Sequence, residues 1–333
     1  MAEVVLSGIR ATGRMHFGNF VGAVDNFVKY QADPNNTCMY FVADLHTLTT
    51  LDDPEELRTN LLEMVKDYLA AGLDPEKSII YAQSSVPEIC ELMLLLGMLQ
   101  PLGELQNIPT YKDLVRSNPD RVTHGLISYP VLMAADILGP QATLVPVGSD
   151  QIPNVELAKD LARRFNQRYG HTLTVPRMME EMVKVPGLDG SKMGKSSSRN
   201  AIGINDSPVE IRAKYKKFGI TDTEKRRKGD KGNPYQRCRS VYPVHQLITP
   251  GEDESHAIAD QCLDGEIGCA DCKDLLVDSI ANVLVPFQER RAELADQDDY
   301  VRDVLIEGGK VARSIIGPKV AEVREKMGIV SYA

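Results

Sequence analysis

The sequence predicts an α/β protein: a parallel sheet with crossover helices in the first half, followed by an α-helical C-terminal half. Short apolar runs alternate there with segments of helical apolar spacing, the pattern of strands joined by crossover helices. No strand pattern of comparable strength follows Val147. The chain has 333 residues, room for about two domains at roughly 150 residues each.

Val4 to Ile9 is the first strand, followed by Gly13. Gly18 to Tyr30 has helical spacing, with Phe20, Val24, Phe27 and Val28 on one side. Met39 to Leu45 is strand-like, and Pro54 to Ala71 is helical through Leu57, Leu61, Met64, Val65 and Leu69. Ser78 to Ala82 is a strand and Pro87 to Leu99 a helix. Beyond them, 155–168 and 206–218 have helical spacing. So does 272–296, where Pro286 should kink or split the helix. Helical spacing resumes over Asp299 to Met327, with interruptions expected at Gly308-Gly309 and Gly317-Pro318. The Gly/Ser-rich segment Gly187 to Ser198 is expected to be a mobile loop and the domain boundary, giving domains 1–198 and 199–333.

Apolar residues make up 43% and charged residues 26%, which excludes collagen-like, coiled-coil and wholly disordered chains. The longest apolar run, Leu92 to Leu99, has eight residues, far short of the roughly 20 of a membrane span. The start MAEVVLSGIR reads as a strand with no basic segment before it, so a cytoplasmic location is expected. A net charge of −9 argues against a general nucleic-acid coat. Yet Arg212 to Arg239 holds eleven Lys/Arg against three acids, either a local polyanion contact or a solvated loop.

Two segments carry candidate phosphate chemistry. Gly13-Arg14-Met15-His16-Phe17-Gly18-Asn19 follows the first strand and opens a helix. Backbone N–H groups there favour anions, and Gly18 permits close approach. Lys192-Met193-Gly194-Lys195-Ser196 sets two lysines in a loop of small residues, suited to polyphosphate. Packing for the first and a solvated linker for the second are the plainer alternatives.

HFGN followed far along the chain by KMGKS resembles the paired signatures of class I aminoacyl-tRNA synthetases. Tyr129-Pro130-Val131-Leu132-Met133-Ala134-Ala135-Asp136-Ile137-Leu138 and Val145-Pro146-Val147-Gly148-Ser149-Asp150-Gln151 look like the amino-acid pocket of the bacterial tryptophanyl-tRNA synthetases. Leu6-Ser7-Gly8-Ile9, Asp44-Leu45-His46 and Gly103-Glu104-Leu105 fit the same family. The resemblance implies a Rossmann-like catalytic domain binding ATP and tryptophan, and a helical tRNA-binding domain. It implies tryptophanyl-adenylate formation and transfer to tRNA(Trp), with Mg²⁺ on the phosphates, in a homodimer.

By this resemblance Gly18 and Asn19 hold adenosine and His16 lies near the phosphates. Lys192 and Lys195 close on pyrophosphate with Met193, Gly194 and Ser196. Gly148, Ser149 and Asp150 hold ribose, Val185 meets adenine, and Arg10, Ala11 and Thr12 touch ATP. His16, Asn19, Lys192 and Lys195 are the catalytic set. Tyr129 and Gln151 contact the α-amino group, Met133 and Val147 line the ring pocket, and Leu6 and His46 join the tryptophan site. Indole N–H is a donor only, so one deep acceptor is needed, and Asp136 supplies it unless it caps a helix. Gly194 stands where the family usually has Ser, which predicts a slower or weaker ATP step, and Arg10 stands where it has Gln, a cation that could reach ATP or tRNA phosphate in place of that Gln's contact. Those departures leave a regulatory paralogue as an alternative, beside a tyrosine-specific enzyme of the same fold.

Cys238, Cys262, Cys269 and Cys272 form C-x23-C-x6-C-x2-C, a four-thiolate set suited to zinc or an iron–sulfur cluster. Resemblance to a subgroup of the family favours [4Fe–4S]. Cys38 and Cys90 read as small core hydrophobes. His124, His171, His245 and His256 have no motif around them.

Overall fold

The computed structural model describes residues 2–117, 119–178, 184–194 and 199–330. Its elements, in order, are β1 Val4–Ile9, α1 Phe17–Asn19, α2 Asp25–Gln31, β2 Thr37–Val42, α3 Asp44–Thr47, α4 Pro54–Ala70, β3 Ser78–Ala82, α5 Glu88–Gly97, α6 Leu102–Leu105, α7 Pro109–Ser117 and α8 His124–Leu138. There follow β4 Leu144–Val145, α9 Ile152–Tyr169, β5 Arg177–Met178, α10 Pro208–Phe218, α11 Tyr242–Ile248, α12 Glu252–Asp264, α13 Cys269–Glu293 and α14 Asp298–Lys326. Among the described residues no helix is long and apolar enough to cross a membrane.

The chain divides into two compact units. The first holds Met1–Gly13, Asn26–Met182 and Gln297–Ala333, and the second Arg14–Asp25 and Val183–Asp296. A cut at 198/199 therefore does not describe how the chain packs. The last helix belongs to the first unit because its glycine pair seats it on the sheet. A Cβ at Gly308 would lie 1.8 Å from the Ile80 carbonyl oxygen on β3, and one at Gly309 2.8 Å from Ser85 Cβ. These glycines permit close approach and do not interrupt α14. Pro318 lies inside the same helix, and Pro286 inside α13, where Leu284 and Phe287 are buried on either side of it. Burial of the flanking apolar residues outweighs the missing N–H.

In the first unit five parallel strands run in the order β3-β2-β1-β4-β5. β4 and β5 have two residues each, so β5 is the strand that the apolar pattern was too short to show. The strand order reverses between β1 and β4, and in Rossmann-like sheets ligands bind beyond the strand ends at that point. β1 leads there into Arg10–Thr12, and β4 into Pro146–Gln151. Ser7 Oγ donates to the Pro146 carbonyl at 3.0 Å, tying the two together. The core, from Leu6 and Met39 to Leu161 and Phe165, fills the space between the sheet and helices α5, α8, α9 and α14.

Candidate functional site

In the first unit, the carboxyl ends of the strands carry a closed ring of hydrogen bonds around Asp136. Asp136 lies within α8, 3% exposed, so it does not cap the helix. Gln83, the residue after β3, donates through Nε2 to Asp136 Oδ1 at 2.9 Å and Oδ2 at 2.8 Å. His46 Nε2 lies 3.0 Å from Asp136 Oδ2. The His46 backbone N–H closes the ring on Gln83 Oε1 at 3.3 Å. Burial pushes the Asp136 carboxyl above the usual carboxylate range, and the bonds from His46 and Gln83 work against that rise. His46 stands in the short helix α3 and not at a strand end, since β2 stops at Val42.

Apolar residues surround this ring. Phe41 and Tyr81 lie with ring centroids 5.6 Å apart, and Met133 and Val147 pack against the same core. A Cβ on Gly8 would fall 2.5 Å from the Phe41 ring, so only glycine lets the ring lie across β1. The Tyr129 ring meets the His46 ring edge-on at 6.1 Å. Leu6 is 1% exposed and belongs to the core, so it acts from beneath the surface. The Ala11 side chain is fully buried, and its N–H is taken by Thr47 Oγ1 at 2.9 Å. Thr12 N–H turns back to the Arg10 carbonyl at 2.8 Å, while Arg10 itself is exposed. Gly148 accepts from Gln151 N–H at 2.7 Å. Asp150 is exposed, and the Ser149 side chain lies outside what the structure describes.

The second unit brings the two signature segments together. Gly18 N–H donates to Met193 Sδ at 3.3 Å across 175 positions of sequence. A Cβ on Gly18 would sit 3.0 Å from His16 Nδ1 and 3.1 Å from Met193 Cβ, so the seam is tight there. His16 caps α1: its Nδ1 accepts Asn19 N–H at 3.1 Å, and its own N–H goes to Asn19 Oδ1 at 3.3 Å. With Nδ1 accepting, the ring proton sits on Nε2, which becomes a donor. Phe17 N–H binds the Ile202 carbonyl at 2.8 Å. A π-helical turn follows at Phe20–Val24, a form that recurs at functional sites, and Phe20 meets Phe287 edge-on at 5.4 Å.

The described part of the lysine loop is ordered by Asn200 and is not a free linker. Asn200 Nδ2 donates to Ser191 Oγ at 3.1 Å and to the Lys192 carbonyl at 3.0 Å, and its Oδ1 accepts Asp189 N–H at 3.2 Å. Met193 N–H reaches the Val185 carbonyl at 3.1 Å, and both side chains are buried. Lys192 is exposed and Gly194 half-buried; Lys195 and Ser196 lie outside the described residues. Gln83 and Asn200 carry no sequence motif, and the signal for each is position: one directly after a strand, the other directly after the lysine loop.

Cys238, Cys262, Cys269 and Cys272 line one pocket of the second unit with Lys225, Tyr242 and Ile267. Cys262 lies in the last turn of α12, and Cys269 and Cys272 open α13. A Cβ on Gly232 would fall 2.6 Å from Cys262 Sγ. Burial first, then the other three thiols, push the Cys272 pKa up to about 12. Burial likewise raises Cys238 and Cys262. Among the described residues, no three His, Cys, Asp or Glu form a group that could hold a metal ion, so the thiols share the pocket without closing on one point. His245 stands against them, with Nε2 at 3.0 Å from the Cys272 carbonyl and 3.6 Å from its Sγ. Cys90 is exposed and not a core residue; Cys38 is buried.

Much of the basic segment is paired. Arg212 meets Asp274 at 2.7 Å and Asp278 at 3.6 Å, Lys228 meets Asp271 at 3.7 Å, and Lys231 meets Asp264 at 3.9 Å. Arg226 and Arg227 are exposed.

Residues 2–285 match the family model described as tRNA synthetases class I (W and Y). The chain is 40% identical over 330 residues to a tryptophan–tRNA ligase of Thermotoga maritima, covering 98% of this chain and 99% of that one. It is 38% identical over 330 residues to the tryptophan–tRNA ligase of Deinococcus radiodurans, covering 98% of each. The crystal structure of tryptophanyl-tRNA synthetase from Campylobacter jejuni complexed with ADP and tryptophan is 32% identical. It superposes with a TM-score of 0.82 over 98% of this chain and 100% of that one.

Proposed function

The chain belongs to the class I tRNA synthetases of the W and Y type and is a tryptophan–tRNA ligase, and from that premise we propose which residues of each unit serve tryptophan and ATP. The reaction joins L-tryptophan and ATP as tryptophanyl-adenylate and passes the aminoacyl group to tRNA(Trp). The tryptophan carboxylate attacks the α-phosphate in line and pyrophosphate leaves, so positioning and charge stabilisation carry the catalysis. Mg²⁺ enters with ATP as part of the substrate.

Asp136 accepts the indole N–H. Gln83 and His46 fill three of the roughly four acceptor positions of a carboxylate, and the fourth is left for one donor. A side chain without that donor leaves a buried carboxylate short, a rejection of about 10⁴-fold. Met133 and Val147 flank the ring, Leu6 backs it, and Tyr129 and Gln151 hold the α-ammonium. Gly148, Ser149 and Asp150 hold the ribose, and the Arg10–Thr12 turn contacts ATP. On the second unit, Gly18, Asn19 and Val185 hold the adenosine portion, and His16 Nε2 donates to a phosphate oxygen. Lys192 and Lys195, with Met193, Gly194 and Ser196, stabilise the leaving pyrophosphate. The bond from Gly18 N–H to Met193 Sδ is the observation that carries this reading.

The four cysteines would hold a [4Fe–4S] cluster, with zinc as the alternative. The all-thiol donor set suits such a group by its chemistry, while among the described residues the thiols that line the pocket do not close on one metal position. Held by these four cysteines, such a group would cross-link the segment before α11 with α12 and α13 and would supply no step of ligation. The exposed part of the basic segment meets tRNA phosphates, a contact that fades with salt. Leu94, Met98 and Leu102 are 60%, 67% and 59% exposed, and this apolar surface supports a homodimer. A cytoplasmic location accompanies the activity.

Amino-acid-dependent ATP–pyrophosphate exchange, with iron and zinc measured on the same sample, tests the reading. Exchange with tryptophan and not tyrosine, together with bound iron, is expected. Equal exchange with tyrosine removes the role of Asp136, and colourless protein holding one zinc removes the cluster.

A further inference from the structure

Five side chains of the first unit form a single line of hydrogen bonds. Tyr129 of α8 donates its hydroxyl to Thr110 Oγ1 of α7 at 2.7 Å. Thr110 donates in turn to Asn154 Oδ1 of α9 at 3.4 Å. Asn154 Nδ2 donates to Gln151 Oε1 at 2.8 Å, and Gln151 Nε2 to Asp150 Oδ2 at 2.9 Å. Every donor points the same way, from the phenol to the carboxylate. Asn154 is completely buried and Thr110 half-buried, so the middle of the line is shielded from water.

We propose that Thr110 and Asn154 are positioning residues that couple tryptophan binding to ATP binding. The inference rests on the roles given above to Tyr129 and Gln151 at the α-ammonium and to Asp150 at the ribose. Aligned hydrogen bonds polarise one another. An ammonium placed on the Tyr129 oxygen makes its hydroxyl a stronger donor, and the gain passes along the line to Gln151. Its longest link, Thr110 to Asn154, has the most room to tighten. A tightened line holds the exposed Asp150 carboxylate in one rotamer. ATP then binds a group whose freedom is already spent, which is positive coupling without a change of fold. The ends already act on each other, since the Asp150 charge adds to the burial that raises the Tyr129 pKa.

The chain contains no tryptophan, so the fluorescence of bound ligand reports binding without a protein background. Tryptophan is titrated into the full-length protein with and without adenosine α,β-methylenetriphosphate, which cannot form the adenylate. The analogue is expected to tighten tryptophan binding by roughly fivefold or more. Thr110→Val, which keeps shape and removes the hydroxyl, brings that factor below about twofold, with a smaller effect on tryptophan alone. Thr110→Ser restores it, which a merely structural role would not require. If Thr110→Val does not fold, Thr110→Ala replaces it with the same expectation. An unchanged factor in the variant, or no coupling in the unsubstituted protein, overturns the proposal and leaves the functional reading standing. Failure of tryptophan to bind the unsubstituted protein overturns that reading as well.

Discussion

The polar clusters around Asp136 in the first unit and around Cys272 in the second are satisfied differently. Around Asp136, donors and acceptor come from the protein itself, and the ring through Gln83 and His46 closes without help. Around Cys272, burial first and then the neighbouring thiols raise its pKa, and among the described residues no three His, Cys, Asp or Glu close on a metal position. Buried polar groups are stable when paired and costly when not. The first cluster is therefore satisfied by its own residues before any ligand binds. The second has no such closed set of partners: its thiols line one pocket without closing on one point among the described residues.

The largest effect that sharpens this contrast is on Asp136. Asp136→Ala removes the acceptor and strands Gln83, and tryptophan-dependent exchange falls by about 10³-fold or more in kcat/KM. A loss confined to stability, with normal kinetics in the folded fraction, breaks the contrast. Next, if the four cysteines hold a metal as proposed, Cys272→Ser loses it and lowers Tm on the order of 5 °C or more. Steady-state exchange then changes far less than in the Asp136 variant. Full thermal stability without metal would mean that the thiols, too, are self-sufficient.

The third effect is a pH dependence. Burial holds the Asp136 pKa above its ordinary value. The folded state thus binds this proton more tightly than the unfolded chain does. The associated stability is complete below the ordinary carboxylate range and is lost as pH rises through the raised value. Gln83→Leu removes donors that favour the ionised form, so the loss deepens by about 1–2 kcal/mol. Asp136→Asn removes this loss altogether. Urea unfolding at a series of pH values reads both. The smallest effect is at the seam of the second unit, where Gly18→Ala meets neighbours at 3.0 and 3.1 Å. About 1 kcal/mol of overpacking raises the KM for ATP by roughly fivefold and leaves that for tryptophan unchanged.

Periodicity located the long elements well, because β1, β3, α4 and α10 have apolar faces that match their geometry. It misplaced the breaks in α13 and α14. Pro286 and Gly308-Gly309 are local signals, and the packing that overrides them is made with residues distant in sequence. The division into units escaped for the same reason: α14 belongs with β3, a contact that no local pattern announces. His16, Asn19, Asp136 and Tyr129 stand out in the sequence by chemistry and spacing, and the structure joins His16 to Asn19 and Asp136 to His46. Gln83, Thr110, Asn154 and Asn200 do not stand out. Each is an ordinary polar residue whose role depends on a partner brought near by the fold.

A crystal structure with L-tryptophan bound tests most directly the claim that Asp136 reads the indole. The account predicts an indole nitrogen about 2.9 Å from an Asp136 oxygen, with the bonds from Gln83 and His46 retained. A tryptophan bound with its indole nitrogen away from Asp136, or an Asp136 ring opened to admit it, would contradict the account.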